Sequence, residues 1–223
     1  MNYTKSEVAR LIDISAVKTE SSISDVNEVI DAAKKNNLIC VFAMPCFVDY
    51  VVEQMKGYDS INIGGVVGFP SGAETVETKI FQAAQMKSKG CTEVDMVINV
   101  GKLKSGMYED IVSEIKAIKA TVAPLPLKVI IEVALLSDEE IVKASKLVVE
   151  GGADYVKTGT GWMGSTTLDH VKLIKQTVGD TIKLKVAGGV RDLETLKAMY
   201  ELGVARFGIG YKSVLSIIDS CDE

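Results

Sequence analysis

Three ionisable side chains lie at or near the ends of predicted strands and are of types that together suit amine chemistry. Lys157 ends a short apolar segment before a Gly/Thr loop, Lys185 lies in the next predicted strand, and Asp95 lies in an earlier one. A lysine attacks a carbonyl only as the neutral amine, so its pKa must fall from about 10.4 through burial or a neighbouring cation. With Lys185 as that cation and Asp95 carrying protons, the three residues predict a Schiff-base enzyme.

The segments that must position these residues are of two alternating kinds. Short β-branched segments, which we interpret as strands, lie at 12–15, 38–42, 62–67, 93–100, 128–133, 154–157, 183–186 and 206–209. Charged segments with helical periodicity lie at 75–89, 108–120, 138–149, 168–176 and 193–202. Alternation of strand and helix predicts a parallel sheet built from βαβ units.

A weak internal repeat indicates how many units there are. Gly90, Gly152 and Gly203 each follow a helical segment and precede a strand, as a left-handed residue at a helix end does. Eight units of about 28 residues fill the 223-residue chain. We therefore predict an α/β fold of the (β/α)8 TIM barrel type, in one domain over residues 1–223. A doubly wound open sheet is the alternative, but the Gly-rich turn that usually follows its first strand is missing from this sequence.

Charged and apolar residues alternate in several predicted strands, which indicates the sides that face the barrel interior. If the apolar sides face the helices, Asp95, Lys157 and Lys185 point into the barrel, where an unpaired charge is costly. Charged groups from the ends of different strands are typical of an active site at the C-terminal face of such a barrel. Structural ion pairs inside the barrel, such as one between Lys128 and Glu132, are the alternative interpretation.

Two glycine-rich turns follow the last two predicted strands. Gly188 and Gly189 come after the seventh strand, and Gly208 and Gly210 come after the eighth, shortly before Lys212. Barrels commonly bind phosphate at these two turns through backbone N–H groups and a helix N-terminus. Ordinary strand-to-helix turns also contain glycine, but the two turns together predict a phosphate site.

The composition excludes several classes of protein. The net charge is −5, which weighs against a nucleic-acid partner, and 47% hydrophobic residues exclude intrinsic disorder. The N-terminus does not read as a signal peptide, and no apolar run predicts a membrane span. With one histidine and no CxxC pair we expect no metal site, and the scattered cysteines are typical of a reducing cytoplasm: Cys40, Cys46, Cys91 and Cys221.

Five segments of the chain are similar to those of one enzyme family. They are residues 67–72 (VGFPSG), 93–99 (EVDMVIN), 128–132 (KVIIE), 152–158 (GADYVKT) and 187–191 (AGGVR). The sequence resembles deoxyribose-phosphate aldolase over nearly its whole length, from Ile12 to Ile217. This resemblance implies a class I aldolase with an α/β barrel that cleaves 2-deoxyribose 5-phosphate to acetaldehyde and glyceraldehyde 3-phosphate, with no metal or organic cofactor.

The resemblance also implies a role for each matched residue. Lys157 corresponds to the Schiff-base lysine, Lys185 to the second lysine and Asp95 to the proton-handling carboxylate. We expect contacts to substrate or phosphate from Asp13, Thr158, Gly159, Gly188, Gly189, Gly208, Gly210 and Lys212. The partner implied is a small sugar phosphate or aldehyde, with no nucleic acid and no membrane, in a cytoplasmic enzyme of a kind that is often a homodimer.

The chain departs from the family pattern around the expected substrate site. Residues 13–15 read DIS where the family usually has an Asp-His-Thr-like run, and residues 42–45 read FAMP where it often has Cys-Val-Asn-Pro. Gly210 and Tyr211 stand where the family has serines that contact phosphate. Two alternatives therefore stay open: an aldolase of the same family acting on a different, non-phosphorylated substrate, and a non-catalytic barrel that binds sugar phosphates.

Two residues near the expected site have two interpretations each. Trp162 either lines the pocket or packs within its own loop. Arg191 either steers an anionic substrate or pairs with Asp192 or Glu194. The position of each side chain relative to the pocket decides between them.

Overall fold

The computed structural model describes residues 2–222, and its strands form a closed parallel barrel. The strands are β1 (Ile12–Ala16), β2 (Cys40–Ala43), β3 (Asn62–Val67), β4 (Glu93–Val97), β5 (Leu127–Ile130), β6 (Tyr155–Lys157), β7 (Lys183–Ala187) and β8 (Val204–Gly210). Each strand pairs with the next along the chain, and β8 pairs with β1 to close the barrel. The predicted (β/α)8 barrel is confirmed.

Helices surround the barrel. They are α1 (Lys5–Ala9), α2 (Ile23–Asn36), α3 (Val48–Gln54), α4 (Val76–Ser88), α5 (Val100–Lys104), α6 (Tyr108–Val122), α7 (Asp138–Glu150), α8 (Leu168–Val178), α9 (Leu193–Glu201) and α10 (Tyr211–Asp219), with 3-10 turns at Pro45–Phe47 and Val133–Leu135. The five predicted helical segments correspond to α4, α6, α7, α8 and α9. Within residues 2–222, no helix combines the length and the apolar character that crossing a membrane requires.

Polar side chains before several helices explain where those helices begin. Ser22, Thr75, Ser137, Thr167 and Asp192 each accept a hydrogen bond from a backbone N–H in the first turn of the helix that follows. Each such cap satisfies a donor that has no partner inside the helix and contributes about 1 kcal/mol. These capping residues therefore determine where the loops before these helices end.

The apolar core lies between the barrel and the helices. In α7, for example, Ile141, Ala144, Leu147 and Val148 are buried at helical spacing, while the charged residues between them face outwards. Burying a side chain such as Leu or Ile stabilises the fold by about 1.5–3 kcal/mol. This outer core frees the barrel interior to hold polar groups.

Two strands end earlier than the sequence predicted. β4 stops at Val97 because Asn99 caps α5, with its side chain accepting from the N–H of Lys102 at 3.0 Å. β5 stops at Ile130, and Glu132 adopts a left-handed conformation with φ 59° before the 3-10 turn begins. The predicted strands at 93–100 and 128–133 therefore include the first residues of the loops at the C-terminal face.

Candidate active site

Lys157 lies at the end of β6 and projects into the barrel. The strand register places it between Ile130 of β5 and Lys185 of β7. The residue is 7% exposed, and its Nζ lies 2.7 Å from Oδ2 of Asp95. The amine is therefore buried, yet it lines the cavity that opens at the C-terminal face.

Asp95 holds three lysines from three different strands. Its Oδ2 lies 2.7 Å from the Nζ of Lys157 and 2.6 Å from that of Lys185, and its Oδ1 lies 3.3 Å from that of Lys128. Burial opposes ionisation of this carboxyl, but the three ammonium groups outweigh it and hold the pKa of Asp95 well below its usual range. Asp95 is an anion throughout the working pH range.

Two more carboxylates and one guanidinium extend this cluster towards β1 and β8. Asp13 lies 2.5 Å from the Nζ of Lys185 and accepts from Arg206 Nε at 2.8 Å. Glu93 contacts Lys128 at 2.6 Å and Arg206 at 3.0 Å. These ion pairs are buried, so each group depends on its partners for stability in the low-dielectric interior.

The cluster has one more basic group than it has acids. Its bases are Lys128, Lys157, Lys185 and Arg206, and its acids are Asp13, Glu93 and Asp95. The pKa of Arg206 and that of Lys128 are raised by their neighbouring carboxylates despite burial. The cluster is therefore balanced when one of its lysines gives up its proton.

Lys157 is the lysine whose pKa is lowered. Burial lowers the pKa of its amine, Asp95 opposes that effect, and the neighbouring Lys185 lowers the pKa further, to about 8. A large fraction of the amine is then neutral near pH 8, whereas an ordinary surface lysine is almost fully protonated there. Lys157 has the protonation state that a nucleophilic amine needs.

Phe42 forms an apolar wall beside these charges, a role the sequence analysis did not predict. Its ring centroid lies 4.4 Å from the Nζ of Lys185 and 5.8 Å from that of Lys157, within the range of cation–π attraction. The ring fits because residue 64 is glycine: a Cβ there would lie 2.1 Å from the ring. The pair of glycines in β3, Gly64 and Gly65, was the available signal for a bulky neighbour.

The two predicted phosphate turns meet at the rim of the same cavity. Gly188, Gly189, Gly208 and Gly210 all line it, as does exposed Arg191. Gly210 is the N-cap of α10, and no side chain caps that helix, so its first N–H groups remain available to an anion. Arg191 has no ion pair with Asp192 or Glu194 among the described residues, which favours the steering interpretation.

The other predicted contact residues lie elsewhere. Asp13 lines the cavity, but it does so as part of the ion cluster rather than at the glycine rim. Thr158 is buried and bonds to the backbone of Ala187, and Gly159 lies against the Glu132 carboxylate. Lys212 is exposed and lines a separate depression beside the cavity. The structure thus brings the two lysines, two aspartates and four glycines together, and it leaves Thr158, Gly159 and Lys212 outside the cavity lining.

Two interpretations from the sequence change with the structure. Lys128 pairs with Glu93 and Asp95, and not with Glu132, whose carboxylate accepts from Thr160 instead. The reason is the left-handed turn at Glu132, which carries its side chain into the loops above the barrel. Trp162 lines the cavity, as one of its two interpretations has it, and its ring packs against Phe69 of the loop after β3 rather than within its own loop.

One group of side chains has the spacing of a metal site. Potential ligand atoms of Asp13, Cys40 and Glu93 lie within 4.8 Å of one another. Arg206 already contacts both carboxylates, and burial raises the pKa of the Cys40 thiol well above its usual value, which keeps it protonated. A thiol binds a metal ion only as the thiolate. These three side chains therefore suit the observed ion pairs with Arg206 better than they suit a bound metal ion.

Comparison with known proteins identifies similar sequences over most of the chain. The family model described as DeoC/LacD family aldolase matches residues 8–211. The deoxyribose-phosphate aldolase of Rhizobium meliloti is 44% identical over 216 residues, which cover 96% of this chain and 87% of that protein. The enzyme of the same name from Staphylococcus saprophyticus is 45% identical over 209 residues, covering 93% and 92%.

Solved structures agree with the sequence comparison. A protein described as "QR15, an Aldolase" superimposes with a TM-score of 0.89 at 34% identity, covering 96% of this chain and 95% of that one. A tetrameric deoxyribose phosphate aldolase from Aeropyrum pernix superimposes with a TM-score of 0.85 at 21% identity, covering 97% and 92%. The second likeness bears on the fold alone.

Proposed function

The chain belongs to the DeoC/LacD family of aldolases, and from that premise we propose that it reversibly cleaves 2-deoxy-D-ribose 5-phosphate to acetaldehyde and D-glyceraldehyde 3-phosphate. The observation that carries the proposal is a cavity-lining lysine, Lys157, whose pKa is lowered to about 8 beside Asp95 and Lys185. The relatives named for this activity share more than two-fifths of their aligned residues with the chain.

The reaction begins with the neutral amine of Lys157. It attacks the aldehyde carbon C1 of the open-chain sugar, and loss of water leaves an iminium. A base takes the proton of the hydroxyl on C3, the C2–C3 bond breaks, and its electron pair moves into the iminium to give an enamine. Glyceraldehyde 3-phosphate leaves; protonation of the enamine carbon and hydrolysis then release acetaldehyde and restore the amine.

Lys185 and Asp95 handle the protons in this scheme. Lys185 lines the cavity, whereas Asp95 is fully buried beneath it and contacts both lysines. Asp95 does not contact the substrate directly, so the C3 proton is relayed through water and Lys185, and Asp95 assists as the anion paired with Lys185. The persistent charge of Asp95 also stabilises the iminium that replaces the ammonium of Lys157.

The phosphate of the substrate is assigned to the glycine rim. Gly188, Gly189, Gly208 and Gly210 leave the backbone accessible there, α10 begins without a side-chain cap, and Arg191 supplies a positive charge. Backbone N–H groups and a helix N-terminus together hold phosphate without the serine hydroxyls of the family pattern. The named relatives favour this reading over a non-phosphorylated substrate or a non-catalytic binder.

Reductive trapping tests the proposal directly. Incubation with deoxyribose 5-phosphate or with acetaldehyde, followed by borohydride, should leave an adduct that peptide mass spectrometry locates on Lys157. The adduct should be missing in Lys157→Ala and present in Lys183→Ala, a variant of an exposed lysine on β7. Absence of any adduct with both carbonyl compounds would refute the Schiff-base assignment.

Three further expectations accompany this function: a single domain over residues 1–223, a cytoplasmic location and a homodimer. Free thiols at Cys40, Cys46, Cys91 and Cys221 support a reducing compartment. Light scattering after gel filtration tests the dimer, and a monomeric mass at micromolar concentration excludes it.

A further inference from the structure

Trp162 lies at the mouth of the cavity and is held from three directions. Its Nε1–H donates to the carbonyl of Val17, 3.1 Å away in the loop after β1. Its ring meets the ring of Phe69, in the loop after β3, edge to face with centroids 5.9 Å apart. Its backbone N–H donates to the hydroxyl oxygen of Thr160 at 3.0 Å. The side chain thus links the loop after β6 to two other loops around the cavity that Lys157 lines.

Glu132 is hydrogen bonded to Thr160, which in turn is hydrogen bonded to Trp162. Its Oε2 accepts from the hydroxyl of Thr160 at 2.6 Å and from the backbone N–H of Thr160 at 3.2 Å. The Thr160 hydroxyl donates to Glu132 and accepts from Trp162, so a continuous chain of hydrogen bonds joins the carboxylate to the tryptophan. Glu132 is 2% exposed, and these bonds satisfy a buried polar group.

The backbone of Glu132 is held in an uncommon conformation. Its φ of 59° and ψ of 61° lie in the left-handed region, which is strained for a residue other than glycine. The residues on both sides are tied to the end of β6: Ile131 N–H donates to the Lys157 carbonyl at 3.0 Å, and Val133 N–H donates to the Thr158 carbonyl at 2.8 Å. The strain therefore lies directly beside the lysine and directs the carboxylate towards the loop.

These contacts connect the loop over the cavity to the strand that bears the amine. We propose that Glu132 is a positioning residue that acts through Thr160 to hold Trp162 over the cavity, and that Trp162 shelters the Schiff base on Lys157 from bulk water. The inference rests on the proposed function, because it requires Lys157 to form that Schiff base. Excluding water strengthens the charge interactions around an iminium and limits its premature hydrolysis.

Tryptophan fluorescence reports on Trp162 alone, because the sequence contains a single tryptophan. In Glu132→Gln, an NH2 group replaces one carboxylate oxygen, which removes the negative charge and the second acceptor, Oε1, that the backbone N–H of Thr160 reaches at 3.3 Å. We expect the tryptophan emission to move to longer wavelength and the KM for deoxyribose 5-phosphate to rise about tenfold, as loss of a charged hydrogen bond predicts. The yield of borohydride adduct at saturating acetaldehyde should stay within about twofold of the parent, since the excess of acetaldehyde re-forms any Schiff base that water hydrolyses and the amine of Lys157 is unchanged.

A second variant covers the case in which Glu132→Gln does not fold. Thr160→Val removes the bridging hydroxyl and keeps the shape of the side chain, so it should change emission and KM in the same direction. If both variants fold, their effects on KM should combine to less than the product of the single effects, because the residues act in one chain. Glu109→Gln, which removes an exposed carboxylate on α6, is the matched control and should leave both readouts unchanged.

The outcomes separate the two proposals. An adduct on Lys157 in the parent protein, combined with unchanged emission and KM in Glu132→Gln and Thr160→Val, overturns the positioning role and leaves the proposed function intact. Loss of adduct in Glu132→Gln without a change in emission also overturns it, because Glu132 then acts on Lys157 and not through Trp162. Absence of an adduct in the parent protein refutes the proposed function itself.

Discussion

The barrel interior and the rim of the cavity are built in opposite ways. In the interior, Asp95 alone contacts three lysine ammonium groups, and every charged group there is buried. At the rim, the glycines present backbone groups to an open cavity, and the exposed Arg191 presents a charged side chain to it. A buried ion cluster tolerates little change because each removal leaves a partner unpaired, whereas a rim of backbone groups tolerates many side chains. The interior therefore fixes the chemistry, and the rim leaves the choice of substrate open to variation.

The largest effect should come from the amine itself. Lys157→Ala removes the nucleophile, and we expect kcat/KM for deoxyribose 5-phosphate to fall by about 10⁴-fold or more. Lys183→Ala, which removes an exposed lysine near the Tyr155 ring, should stay close to the parent. Activity in Lys157→Ala within tenfold of the parent would assign the chemistry to another group.

Asp95→Asn should affect both activity and stability. Removing this charge leaves three lysines close together, and we expect a loss of about 3–5 kcal/mol in the free energy of unfolding, measured by urea denaturation. Loss of proton handling should lower kcat/KM by about 10³-fold. Asp154→Asn breaks the half-exposed ion pair with Lys119, and it should change kcat/KM by less than about twofold because that pair lies outside the cavity lining.

Substitutions at the rim should have a smaller effect on kcat/KM, and its size should depend on whether the substrate carries a phosphate. Deoxyribose 5-phosphate should be cleaved with kcat/KM about 10²-fold above that of unphosphorylated 2-deoxyribose, and Arg191→Ala should reduce this ratio about tenfold. Lys212→Ala should leave the ratio within about twofold of the parent, because Lys212 lines the neighbouring depression. A ratio near one in the parent protein would sink the phosphate assignment and show that the rim serves another group.

The pH dependence tests how the two lysines act on each other. Since the pKa of Lys157 is lowered to about 8, the reactive amine becomes protonated as the pH falls. We expect kcat/KM to drop about tenfold per pH unit below the midpoint and to level off above it. Lys185→Met removes a positive charge beside Lys157 and leaves Asp13 and Asp95 without that partner. Both effects should raise the pKa of Lys157 and move the midpoint of the pH profile upwards. Lys183→Met should leave the midpoint in place. A midpoint that does not move in Lys185→Met contradicts the assigned role of that cation.

Sequence patterns predicted the fold and the central residues because both depend on local periodicity. Alternation along β4 and β7 is enough to turn Asp95 and Lys185 inwards, and burial of the opposite side follows from the helices outside. The partners of these residues depend on closure of the barrel, which local patterns do not contain. Arg206 lies 193 positions from Asp13 along the chain, yet the two are hydrogen bonded.

The sequence was least informative about side-chain direction at two kinds of place: where a strand gives way to a loop, and where a helix follows a strand directly. Glu132 fits an alternating strand in the sequence, but a single left-handed residue turns it out of the barrel. Lys212 follows the glycine turn directly, yet α10 begins at Tyr211 and carries Lys212 away from the cavity. In both cases one backbone angle or one helical turn decides the direction of a side chain, and composition carries little information about it.

Closure of the barrel between β1 and β8 links assembly of the site to folding of the whole chain. Ile12 to Ser15 pair with Phe207 to Gly210, and Asp13 reaches Arg206 and Lys185 across this seam. Contacts so distant along the chain form late and slowly, because a long segment must first be ordered. A nascent chain that has not yet emerged as far as β8 lacks the neighbours that balance its interior charges. Catalytic competence should therefore appear only after β8 has been synthesised and has paired with β1.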